Sequence, residues 1–139
     1  MRVFLDTNVL ASAFGTRGLC ADVLRLILAE HELVTGEVAI KELRRVLRRK
    51  FGVPADSVRE IESFLREYHV EPKPRHLPGL KLSEPNDQLI VGSALKAKAE
   101  ILVTADQEML DLEEKPAGLR IVSPREFWTI AARKPQKRS

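Results

Sequence analysis

The chain has 139 residues, of which 44% are hydrophobic and 31% charged, and a formal net charge of +3. That composition fits one globular domain with one core, and no apolar run approaches the length of a membrane span. Cys20 is the only cysteine, which excludes an internal disulfide and a cysteine-rich metal site.

Arg2–Leu5 is a short apolar strand that runs directly into Asp6. Met1-Arg2 and these three apolar residues are too short for a secretory signal, so a cytoplasmic location without membrane contact is expected. A helix is expected over 7–14, broken by Gly15-Thr16-Arg17-Gly18. Cys20, Val23, Leu24, Ile27 and Leu28 recur at helical spacing, so Leu19–Glu30 reads as an amphipathic helix with Cys20 as a structural cysteine. A second strand covers 32–35. Val38, Ala39, Leu43, Val46 and Leu47 mark the next helix, which closes before Gly52. Pro54 suits the first turn of another helix, striped by Val58, Ile61, Phe64, Leu65 and Tyr68, and His69–Glu71 is a brief strand.

Residues 72–85 hold Pro72, Pro74, Pro78 and Pro85 and read as an irregular loop. A helix is expected over 87–98, with Ile90, Val91, Ala94 and Leu95 inward. Ile101–Val103 is a continuous apolar run, as in a strand covered on both faces. A short helix over 107–112 and a last strand, Arg120–Val122, follow. Ser123-Pro124-Arg125-Glu126 opens the final helix, with Ser at the cap, Pro at the first turn and Glu at the third position. Alternating strands and helices predict a three-layer α/β/α fold with a mostly parallel sheet. The domain is expected over 1–132. Residues 133–139, with Arg133, Lys134, Lys137 and Arg138, read as a basic, disordered, solubilising tail.

In open α/β sheets, ligands sit beyond the carboxyl ends of the strands. Val3-Phe4-Leu5 ends in Asp6, and Ile101-Leu102-Val103 ends in Thr104-Ala105-Asp106. Asp87 precedes Ile90 and Val91 by three and four residues, which places it toward the apolar face. Glu42 lies four residues after Val38 and four before Val46, beside the apolar stripe. Singly, each acid has a plainer use: Asp6, Asn86 or Asp87 as a helix cap, and Glu42 as a surface residue paired with Arg45 or Arg49. Together, four carboxylates without matching lysines repel, raise one another's pKa and destabilise the fold. A hard divalent cation, Mg2+ or Mn2+, removes the conflict. Such an ion supports phosphodiester hydrolysis by acidifying water and neutralising phosphate charge.

The segments Phe4-Leu5-Asp6-Thr7-Asn8-Val9-Leu10, Ile40-Lys41-Glu42-Leu43, Asn86-Asp87-Gln88-Leu89-Ile90 and Leu102-Val103-Thr104-Ala105-Asp106 resemble the PIN-domain nucleases, in order, over roughly residues 2 to 130. The resemblance implies a PIN-like, Rossmann-like fold and Mg2+- or Mn2+-dependent cleavage of RNA. It implies Asp6, Glu42, Asp87 and Asp106 as the metal-binding catalytic quartet, with Thr7, Asn8 and Thr104 giving supporting hydrogen bonds. Many small members are toxins of type II toxin–antitoxin pairs, so a cognate antitoxin and a homodimer are implied as partners. The chain departs from the family pattern at Gly36-Glu37, where Ser-Pro often precedes the Glu-bearing helix, leaving Thr35 as a possible cap. It departs also at Asn86, where an acid is frequent, and at Ala105, where glycine is. Glu84 supplements the site in one reading, and Glu108 replaces or assists Asp106 in another.

Glu42, Arg45 and Arg49 share a helix stripe, so Arg45 and Arg49 are candidate contacts to the RNA backbone; a solvated basic face is the plainer reading. His31, His69 and His76 are scattered and read as structural. Two other classes compete. One is a PIN fold without activity that serves as an RNA- or protein-binding module; the presence of all four acids argues against it. The other is a phosphoryl-transfer domain with a phosphorylated strand-end aspartate. Asn8 stands where a second acid is needed in one such pattern, and Val122-Ser123-Pro124 lacks the lysine needed in another.

Overall fold

Five short segments form the strands of one sheet, largely apolar but for His69–Glu71: β1 (Arg2–Leu5), β2 (Glu32–Gly36), β3 (His69–Glu71), β4 (Ile101–Val103) and β5 (Arg120–Val122). The helices between and after them are α1 (Thr7–Gly15), α2 (Leu19–Glu30), α3 (Glu37–Lys50), α4 (Ala55–Leu65), α5 (Pro85–Lys96), α6 (Gln107–Leu110) and α7 (Pro124–Ala132). This computed structural model describes residues 1–132, so the tail expected over 133–139 lies outside the described residues. No helix among the described residues is long and apolar enough to cross a membrane.

The strand order is β3-β2-β1-β4-β5, and all four pairings are parallel, where a mostly parallel sheet was expected. Alternation along each strand sends side chains to opposite faces. Val3, Leu5, Ile101 and Val103 face a core completed by α1, α2, α4, α7 and the Leu43 and Leu47 side of α3. Phe4, Val34, Leu102 and Ile121 face a second core, completed by α5, Met109 of α6 and the Val38 and Ala39 side of α3. Both faces are covered, which is why β4 reads as an unbroken apolar run.

Helix ends differ from expectation for local reasons. Thr35 does not cap α3: it belongs to β2 and is fully buried, with Oγ1 lacking a partner. Gly36 is the cap residue and supplies no side chain. A Cβ there would lie 3.2 Å from Ser93 Cβ and Oγ, so α3 and α5 approach closely at this point. Pro54 sits at the cap of α4 rather than in its first turn. Helix α5 starts two residues early, with Glu84 at the cap and Pro85 in the first turn, and it ends at Lys96, before Lys98 with φ of 59°. Helix α6 stops at Leu110 instead of 112. Ser123 caps α7 as expected, its Oγ accepting from Glu126 N at 3.0 Å.

Candidate metal centre

The chain leaves β1 toward β2 on one side of the sheet, and later builds β4 and β5 on the other. The strand order therefore reverses between β1 and β4, which opens a crevice at their carboxyl ends. Leu5 pairs with Val103 at this edge, and Asp6 N donates to the Val103 carbonyl at 2.9 Å. Asp6 and Asp106 thus emerge side by side from the two central strands.

Thr104 joins them. Its fully buried hydroxyl donates to Asp6 Oδ2 at 2.7 Å and accepts from Asp106 N at 3.0 Å. The other oxygen of Asp6 accepts from Thr7 N at 2.7 Å, capping α1. Burial raises the Asp6 pKa. The Thr104 and Thr7 hydrogen bonds oppose that rise, and the charges of Asp106 and Glu42 add to it. Asp106 caps α6: its Oδ1 accepts from Glu108 N at 2.8 Å and Met109 N at 3.3 Å, leaving Oδ2 available.

Asp87 enters from the first turn of α5. Among the described residues its carboxylate has no hydrogen-bond donor and no cation. Partial burial comes first among the causes that push its pKa up to about 6, followed by the charges of Asp106, Asp6, Glu108 and Glu84. One oxygen each from Asp87, Asp106 and Glu108 lie within 4.8 Å of one another. Carboxylate oxygens converging here, one of them on the undonated Asp87, are the ligand type a hard cation prefers.

Glu42 stands at the rim. Its charge reaches Asp6, while its own Oε1 pairs with Arg45 at 2.6 Å. That pair was the plainer reading of Glu42, and it coexists with proximity to the acids. Asn8 is exposed in the first turn of α1 and makes no side-chain hydrogen bond to the acids; Thr7 contributes through its backbone N–H instead. Asn8 lies one helical step from the buried Thr7, about 100° round the helix.

Beside the acids, a groove of about 810 Å³ runs along α3. Lys41, Arg45, Arg48 and Arg49 line it, with Lys73 facing them from the proline-rich loop, and Glu42 and Asn86 belong to its wall. Lys73 has no periodic neighbours in sequence, so nothing there marks it. Ser83 is a further residue invisible in sequence: it binds Glu108 twice.

The PIN-domain family matches residues 2–108, which contain all four acids of the expected quartet. No curated protein matches the chain. Among solved structures, a chain from the crystal structure of VapBC2 from Rickettsia felis, bound to a DNA fragment from their promoter, superposes with a TM-score of 0.65 at 17% identity. The alignment covers 88% of this chain and 98% of that one. At that identity the likeness speaks for the fold alone, and the family match carries the assignment. The chain belongs to the PIN-domain family.

Proposed function

We propose that the chain is a Mg2+- or Mn2+-dependent endoribonuclease, the toxin of a type II toxin–antitoxin pair. The observation that carries this reading is Asp87, a partly buried carboxylate without a donor or cation, set among Asp6, Asp106 and Glu108. Asp6, Glu42, Asp87 and Asp106 would hold the ion, and Thr104 fixes the spacing of Asp6 and Asp106. Bound there, the ion supplies Lewis acidity toward water and a phosphodiester. Arg45 and Arg49, with Lys41, Arg48 and Lys73, bind the flanking phosphates in the α3 groove. Asn8, at the exposed mouth of α1, is a candidate contact to substrate rather than to the acids. The neighbour VapBC2 is described with a promoter DNA fragment. As the PIN-domain resemblance implies, this chain would pair with an antitoxin and form a homodimer, and it would work in the cytoplasm.

The test is cleavage of a defined single-stranded RNA with Mg2+, Mn2+ or EDTA. Cleavage with either metal, lost in EDTA and in Asp6→Asn and Asp87→Asn, is expected. RNA binding without cleavage under all conditions would instead identify an inactive binding module. Absence of both would remove RNA as the substrate.

A further inference from the structure

The segment 72–84 is irregular, yet it delivers α5 and therefore Asp87. Two side chains tie it down. Gln88 grips Leu80 in both directions: its Oε1 accepts from Leu80 N at 3.1 Å and its Nε2 donates to the Leu80 carbonyl at 2.5 Å. Glu108 grips Ser83, four residues before Asp87. Ser83 N donates to Oε2 at 3.0 Å and Ser83 Oγ donates to Oε1 at 2.9 Å. Glu108 is itself held, because its N–H donates to Asp106 and its neighbour Met109 is fully buried. The second tie thus joins α6, just after β4, to the entry of α5, across 25 residues of sequence.

Resting on the metal-centre reading above, we propose that Glu108 is a positioning residue, which aims Asp87 through Ser83 rather than coordinating the ion. The division of labour follows from the oxygens. Both oxygens of Glu108 accept from Ser83, whereas Asp106 uses one oxygen and Asp87 neither. Hydrogen bonds that orient a metal ligand are worth about 10- to 100-fold in metal affinity.

Two substitutions separate the tie from the charge. Glu108→Gln and Glu108→Ala remove the same negative charge. Glutamine keeps the tie, its Oε1 accepting from Ser83 N and its Nε2 donating to Ser83 Oγ; alanine loses it. Titration calorimetry of the full chain with Mn2+ should show Glu108→Gln binding about tenfold more tightly than Glu108→Ala. Ser83→Ala, which keeps the charge, should fall between the wild type and Glu108→Ala. Equal, weak binding by Glu108→Gln and Glu108→Ala overturns the proposal in favour of direct ligation. In EDTA, trypsin should cut after the exposed Lys81 several-fold faster in Glu108→Ala, by a smaller factor in Ser83→Ala, which keeps the backbone N–H bond to Glu108, and no faster in Glu108→Gln. Unchanged cutting in all three overturns the tie itself. Mn2+ that fails to bind even the wild type sinks the metal reading and the aiming role with it, while the trypsin pattern still reports separately on the tie.

Discussion

Removing the charge of Asp87, the acid without a donor, should make the metal-free fold more stable, and Asp87→Asn tests this. The folded state holds the Asp87 proton up to about pH 6, against an ordinary value of 3.8. A raised carboxylate pKa means that the folded chain binds the proton more tightly than the unfolded one. The ionised group therefore destabilises the fold above the folded pKa, progressively less between pH 6 and 4, and not at all below the unfolded value. Two pKa units correspond to about 3 kcal/mol unscreened. Asp87 is only partly buried, so solvent screening reduces this to about 1–2 kcal/mol. Asparagine has the same shape and no charge. Urea denaturation in EDTA at pH 8 should find Asp87→Asn more stable by that amount, which corresponds to about 3–7 °C in Tm. At pH 4 the difference should nearly vanish. Added Mg2+ should reverse the order, stabilising the wild type by about 2.7 kcal/mol at 100 times its Kd and the variant far less. A variant no more stable than the wild type at pH 8 without metal, or a gain independent of pH, would refute the electrostatic account of the pocket.

Thr104→Val should lower stability by about 1–3 kcal/mol, because it leaves Asp106 N–H without its acceptor and Asp6 Oδ2 without its donor; Thr104→Ser should recover most of the loss in urea denaturation. Arg45→Ala with Arg49→Ala should weaken RNA binding in EDTA and reduce the slope of log K against log salt by about 1.4, the value for two phosphate contacts to a single strand; an unchanged slope in filter binding removes both residues from the substrate path. Glu62 bridges Arg44 of α3 and Arg66 after α4, and the Arg44 hydrogen bond leads the causes that hold its pKa near 2. Its folded pKa is depressed, so the stabilisation is present above pH 4.5 and fades as the pH falls toward 2. Glu62→Gln should therefore lower stability at pH 7 by about 1 kcal/mol or less, read as a lower Tm, and hardly at pH 2.

Much of the fold was legible because the strands that matter are short apolar runs ended by an acid. Leu5-Asp6 and Val103-Thr104-Ala105-Asp106 declare both a buried strand and its functional end. The position of Asp87 was legible from its spacing to Ile90 and Val91. What hydrophobic spacing does not encode is where a surface side chain turns. Glu42 shares its stripe with the core, yet Arg45, three residues on, claims one of its oxygens. Asn8 lies near Asp6 in sequence but points to solvent. Cap chemistry misled at Thr35, because burial in β2 outweighed its capping preference. The proline-rich segment carries no periodicity, so Lys73 in the groove and Ser83 on Glu108 emerge only when the chain is folded.

The acids are not equivalent, and the difference orders their mutants. Asp6 is the more deeply buried, yet the chain supplies it with donors on both oxygens, at 2.7 Å from Thr7 N and 2.7 Å from Thr104 Oγ1. Its charge is partly compensated by these bonds, though burial still leaves its pKa raised, and its side chain also caps α1. Asp6→Asn keeps one carbonyl oxygen for the cap but turns an amide NH2 toward the Thr104 hydroxyl, which already accepts from Asp106 N. Thr104 must then accept twice and loses its own acceptor, which offsets the gain from removing the charge. Asp87 has no such partners, so only a cation relieves it. Metal-free stability at pH 8 should therefore rank Asp87→Asn above the wild type, and Asp6→Asn near or below it. The reverse ranking would mean that burial, not the missing counter-charge, governs this pocket, and Asp87 would lose its standing as the mark of a cation site.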